Sequence, residues 1–178
     1  MRENVYVREG GNMQQLVKQY GEYIYHLAYL YVKNRENAEE ITQDVFYNFG
    51  MKQEQFRGEA QLKTYLTRMT INRAHDELRK MKRRTILESV LPFMKTEPSV
   101  ETYVLNDEVG QSVKDAVFAL PIHYREVIIL HYYEDYSVTE MTHLLHLSEN
   151  TIRTRLRRAK QQLKMELGEY MEEGLLHD

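Results

Sequence analysis

The chain has 178 residues, 42% of them hydrophobic, which is enough for one ordinary core or two small ones. It contains no cysteine, which excludes disulfide frameworks, thiol nucleophiles and thiolate metal sites and fits a reducing compartment. The formal net charge of −3 gives no sign of a nucleic-acid partner, so such a function would have to show in how charge is distributed along the chain. Residues 1–11 carry no apolar run, and no stretch of 18 uninterrupted apolar residues occurs, so the expectation is a cytoplasmic protein with no membrane insertion of its own.

Glycine and proline are scarce and hairpin signals are missing, so the expected fold class is all-α: two small helical domains, a linker and a C-terminal helix-turn-helix. Leu16, Tyr20, Tyr23, Leu27 and Leu30 or Tyr31 recur at helical spacing, and residues 34–37 interrupt them. A second helix follows with Ala38, Ile41, Val45, Phe46 and Phe49 as its apolar stripe, leaving Glu39, Glu40, Gln43 and Asp44 on the other side. After Gly50 and a loop at Phe56-Arg57-Gly58, a third helix carries Leu62, Tyr65, Leu66, Met69 and Leu78. It runs into a basic block, residues 68–84 with net charge +5, and cations at its C-terminal end suit the helix dipole.

Residues 84–106 lose the periodicity and hold Pro92 and Pro98, and residues 85–116 are net −4, which predicts an acidic linker. The domain boundaries follow as 1–84, a linker over 85–108, and 109–172. In the second domain Val113, Val117 and Leu120 close a helix that Pro121 ends, and residues 124–133 form a strongly apolar helix. Ser137 with Glu140 three residues on is a capping-box pattern, opening a short helix with Val138, Met141, Leu144 and Leu145 inward. After the turn His146-Leu147-Ser148, Ser148 caps a last helix whose stripe is Ile152, Leu156, Ala159, Leu163 and Leu167, completing a helix-turn-helix.

That last helix is the second basic block, residues 148–164 at net +5. In a helix-turn-helix the second helix lies in the major groove with its N-terminal residues toward base edges, while cations and amides hold phosphates. With Ile152 and Leu156 turned to the core, Glu149, Asn150, Arg153 and Arg157 point away from it, and Thr151, Thr154, Arg155 and Arg158 flank that face. Arginine can pair bidentately with guanine and asparagine with adenine, so this face is the expected DNA reader.

These stretches also carry a resemblance. Asn37-Ala38-Glu39-Glu40-Ile41-Thr42-Gln43-Asp44-Val45-Phe46 resembles the "DAEDLVQEVF" segment of bacterial sigma factors, and Phe56-Arg57-Gly58 with Leu62-Lys63-Thr64-Tyr65-Leu66 resembles its "FRG…FxTWL" continuation. Asn72-Arg73-Ala74-His75-Asp76-Glu77-Leu78-Arg79-Lys80 is similar to "N-x-x-x-D-x-x-R-R". Leu120-Pro121 through Arg125-Glu126-Val127 resembles "LPxxxREV", and Leu147-Ser148 with residues 151–159 resembles "ISxGTVKSRLxRA". The order matches the extracytoplasmic-function type, which keeps sigma regions 2 and 4, and covers residues 16–167.

The resemblance implies a promoter-recognition subunit that binds core RNA polymerase and promoter DNA, is commonly held by an anti-sigma factor, and needs no cofactor. It makes Glu39, Glu40, Gln43 and Asp44 the contacts to the polymerase clamp helices. It makes Arg57, Gly58, Asn72, His75, Asp76, Arg79, Lys80 and Arg83 the readers of the minus-ten element, where a flipped base needs a pocket with cations nearby. Ser148, Glu149, Asn150, Thr151, Arg153, Thr154, Arg155, Arg157 and Arg158 become the readers of the minus-thirty-five element. The chain departs from the pattern where Tyr65 and Gly50 replace tryptophans, His146 a glycine and Thr142 an alanine.

Rival readings fare worse. There is no Gly-rich phosphate loop, zinc-protease helix or nucleophile elbow, so neither an enzyme nor a metal site is expected; Glu140-x-x-His143 is half of a di-iron motif with no second copy. A response regulator would need strands alternating with helices in residues 1–84, where only helical periodicity is seen.

Overall fold

The computed structural model describes residues 13–52, 61–90 and 108–168, so Arg57 and Gly58 lie outside the described residues, as does most of the linker. Every element among the described residues is helical, and the chain divides into two compact units, Met1–Glu101 and Thr102–Asp178.

In the first unit three helices, α1 (Met13–Val32), α2 (Arg35–Lys52) and α3 (Leu62–Val90), pack on one another. Lys33, with a positive φ of 57°, ends α1, and Asn34 starts α2 by accepting the Asn37 N–H on Oδ1 at 2.8 Å. The buried residues of α2 are Ala38, Ile41, Val45, Phe46 and Phe49, the stripe expected from spacing. They meet Ile24, Leu27 and Tyr31 of α1 and Leu66, Ile71 and Ala74 of α3 in one core. Two buried threonines on α3 satisfy their hydroxyls locally, Thr67 donating to the Lys63 carbonyl and Thr70 to that of Leu66. Tyr23, half-buried, reaches Thr67 Oγ1 at 2.7 Å, so its polar tip is met at the rim of the core. Where tryptophan would be usual, Tyr65 stands edge-on to Phe49, and a Cβ at Gly50 would lie 3.0 Å from Met13 Cε. Helix α3 continues to Val90, past the expected start of the linker at residue 85, because no helix breaker occurs before Pro92.

The second unit contains α4 (Glu108–Ala119), α5 (Ile122–Ile128), α6 (Val138–Leu145) and α7 (Glu149–Leu167). The expected single helix over residues 124–133 is instead α5 followed by a π-helical turn, Ile129–Tyr133, in which the Glu134 N–H bonds the Ile129 carbonyl at 3.1 Å. That wider turn has no signature in an unbroken apolar run, so periodicity does not reveal it. Ser137 caps α6 through the full capping box: its Oγ accepts the Glu140 N–H, and its own N–H donates to Glu140 Oε2 at 2.9 Å. These hydrogen bonds from the Ser137 side chain and backbone hold the Glu140 carboxyl below its ordinary range. Ile152, Leu156, Ala159, Leu163 and Leu167 of α7 are buried as expected, with Met141 and Leu144 of α6; Val138 and Leu145 are half-buried.

The turn between α6 and α7 puts His146 in the left-handed region, φ 55° and ψ 41°, the conformation that a glycine would take without penalty. A His146→Gly variant should therefore be more stable by about 0.5–1 kcal/mol, the left-handed penalty less the extra chain entropy of glycine. Denaturant unfolding of the full chain checks this, and an unchanged or lowered midpoint would contradict it.

Candidate nucleic-acid interface

Burial of the α7 stripe turns Glu149, Asn150, Arg153 and Arg157 to solvent, as expected; of the four residues expected to flank that face, Arg158 is exposed and Thr151, Thr154 and Arg155 are half-buried. The Ser148 Oγ accepts the Thr151 N–H, so the capped end of α7 presents its first turn outward. Arg153 folds back onto Glu149, Nη2 to Oε1 at 2.6 Å, whereas Arg157 and Arg158 have no ion pair among the described residues.

Arg155, expected at the edge of that face, differs from its neighbours in having a buried partner. Its Nη1 donates to Glu126 Oε1 at 2.8 Å, and the Glu126 side chain is only 5% exposed, so this guanidinium is committed inward. A buried carboxylate without a counterion is costly, and position 155, next to the core residue Leu156, is where α7 can reach it. Beside it, Arg125 is buried and donates Nη1 to the Phe118 carbonyl at 3.1 Å, tying α5 to the end of α4. A groove of about 290 Å³ runs along α7, lined by Asn150, Thr151, Thr154, Arg155 and Arg158 together with His123 and Tyr124 of α5. Nothing in the sequence spacing of His123 and Tyr124 connects them to α7.

On α3, Asn72, Asp76, Arg79, Lys80 and Arg83 are exposed, and His75 is half-buried with its ring 5.7 Å from that of Tyr31. Arg79 pairs with Asp76, and Lys80 with Glu77 at 3.2 Å. Arg73 turns the other way, toward α2: Nη2 meets Glu40 Oε1 at 2.9 Å, Nε meets Asp44 Oδ2 at 2.5 Å and Nη1 meets Glu77 Oε2 at 3.0 Å. An open cleft of about 570 Å³ is lined by Glu40 and Asp44 on one side and by Arg73, Asp76, Arg79, Lys80 and Arg83 on the other. The structure thus brings together two sets of residues with separate expected roles. Glu39 and Gln43 are exposed on α2 beside this cluster, and Tyr47 and Met51 are exposed further along the same helix.

Burial alone would raise the Glu77 carboxyl, but hydrogen bonds from Arg73 and Lys80 outweigh it and hold Glu77 below the ordinary value of 4.5. Arg73 is shifted upward: burial disfavours its charge, and Asp44 and Glu77 more than compensate.

A model of Sigma-70 region 2 matches residues 16–85, and one of Sigma-70 region 4 matches residues 111–163. ECF RNA polymerase sigma factor SigW of Bacillus subtilis is 26% identical over 170 residues, covering 85% of this chain and 87% of that protein. ECF RNA polymerase sigma factor SigM of Mycobacterium tuberculosis is 27% identical over 163 residues, covering 90% of this chain and 79% of that protein. Among solved structures, sigma factor RpoE in complex with anti-sigma factor NepR from Bartonella quintana has the same fold. It is 24% identical at a TM-score of 0.67, covering 86% of this chain and 95% of that one. CnrH, in complex with the cytosolic domain of CnrY, is 20% identical at a TM-score of 0.61, covering 88% and 89%.

Two sigma regions in their expected order, each on its own helical unit, place the chain in the sigma-70 family of promoter-recognition subunits. Within that family it is a sigma factor of the extracytoplasmic-function type, which acts with core RNA polymerase at promoter DNA.

Two outcomes follow from the ion pairs. The unfolded chain protonates Glu77 at its ordinary value and the folded chain only below it, so this group's stabilisation is present above about pH 4.5 and is lost as pH falls through the lowered folded value. Glu77→Gln should be less stable at neutral pH and lose less stability on acidification, as read by urea unfolding at a series of pH values. On α7, Arg157→Ala and Arg158→Ala should each lower the slope of log binding constant against log salt for promoter DNA by up to about 0.9. Arg155→Gln should leave that slope alone and instead cost about 1–3 kcal/mol of folding stability by taking the guanidinium away from the buried Glu126 carboxylate. A salt slope that responds to Arg155→Gln as it does to Arg157→Ala would return Arg155 to the DNA face.

Proposed function

We propose that the two units divide promoter recognition between them. Residues 1–84 dock on core polymerase through Glu39, Glu40, Gln43 and Asp44, and read the minus-ten element through Arg57, Gly58, Asn72, His75, Asp76, Arg79, Lys80 and Arg83. Residues 109–172 read the minus-thirty-five element through the exposed face of α7, and residues 85–108 connect the two. The observation that carries this reading is α7: a capped helix in a helix-turn-helix, pinned by a buried stripe, with Asn150, Arg153, Arg157 and Arg158 outward. The acidic outward edge of α2 supports docking on a basic protein surface. The protein performs no catalysis of its own and works in the cytoplasm; among the described residues no helix is long and apolar enough to cross a membrane. RpoE and CnrH, with which it shares a fold, are each described in complex with a partner, NepR an anti-sigma factor and CnrY through its cytosolic domain, and control by an anti-sigma factor is part of the proposal.

Reconstituted transcription tests it. Added to core polymerase and a genomic promoter library, the chain should direct initiation at a defined set of promoters, while alone it binds them weakly. Tight footprints by the chain alone, with no promoter selected by the mixture, would make it a free-standing regulator.

A further inference from the structure

We propose that Arg73 is the positioning residue of the polymerase-docking face, although its place in the sequence assigns it to the DNA-facing basic block. The inference rests on the reading that Glu40 and Asp44 touch core polymerase.

The geometry is specific. One guanidinium spends Nη2 on Glu40, Nε on Asp44 and Nη1 on Glu77, so a single planar group spans α2 and its own helix. The Arg73 side chain is 15% exposed, against 58% for Glu40 and 39% for Asp44, so a partner arriving at α2 meets the carboxylates and not the cation beneath them. Arg73 takes one oxygen from each, Oε1 of Glu40 and Oδ2 of Asp44, and among the described residues the second oxygen of each accepts no hydrogen bond. Two partly exposed carboxylates are thereby held in place, each with one acceptor left over for donors on a basic surface. Holding a side chain before binding removes the entropy otherwise lost on binding. The carboxylates also lie in the cleft shared with Asp76, Arg79, Lys80 and Arg83, so the same residue fixes α2 relative to the helix proposed to read DNA.

The test is a cycle of variants in the full chain, with affinity for core polymerase measured by fluorescence anisotropy and the folded fraction by circular dichroism. Arg73→Gln should weaken docking by roughly three- to tenfold, the cost of leaving two side chains unordered. Arg73→Lys, which preserves charge but cannot span three carboxylates, should lose part of that factor. In the Glu40→Gln/Asp44→Asn background, itself weaker than wild type, Arg73→Gln should change affinity no further. Tighter docking by Arg73→Gln would mean that the arginine merely neutralises the face, and an equal loss in both backgrounds would mean that it only supports the fold. Either result overturns the inference while leaving the docking reading in place. A Glu40→Gln/Asp44→Asn variant that binds core polymerase as tightly as wild type removes the docking reading and the inference with it.

Discussion

A charge drawn out of water must be met where it stands, and both units of this protein are organised around that requirement. Desolvating an ion costs several kcal/mol, more than most single apolar contacts contribute, so such a pair leaves its helices little freedom to shift. In the first unit Arg73 closes on Glu40, Asp44 and Glu77; in the second the Glu126 carboxylate closes on Arg155. In each case the arginine comes from the helix proposed to face DNA and the carboxylate, or most of them, from the helix behind it. The apolar stripes decide which helices pack. The ion pairs select one azimuth of the reading helix among the several that an apolar stripe would tolerate.

This sorts the arginines and lysines of the two basic blocks into distinct roles. Arg73 and Arg155 point inward and hold helices together. Lys80 lies against the largely buried Glu77, whereas Arg79 against Asp76 and Arg153 against Glu149 are pairs at the surface, where water and salt weaken them. Those pairs open at little cost when a phosphate competes. Arg157 and Arg158 stand ready without exchange of partners. Equal net charge in the two blocks therefore conceals unequal readiness to bind nucleic acid.

The turn ahead of α7 shows a related economy. Ser137 and Ser148 satisfy the first N–H groups of α6 and α7, so both helices start at defined residues, while His146 accepts a backbone conformation that suits it poorly. Strain at one residue between two capped starts is tolerable because the buried stripe from Ile152 to Leu167 holds α7 in place.

Helical periodicity alone determined a good deal about this protein. The α2 stripe, the α7 stripe, the capping box at Ser137 and the cap at Ser148 all occur where spacing placed them, because each is a local pattern repeating within one or two turns. The exposed acidic edge of α2 and the outward face of α7 follow from the same periodicity. Other features needed the tertiary structure: the inward turn of Arg73 and Arg155, the pairing of His123 and Tyr124 with α7 in one groove, the π-helical turn after α5 and the extension of α3 to Val90. Arg73 and Asp44 are 29 positions apart, as are Arg155 and Glu126. An arginine on the flank of a helix looks the same in sequence whether it faces water or a buried carboxylate; only the packing of the second helix supplies the difference.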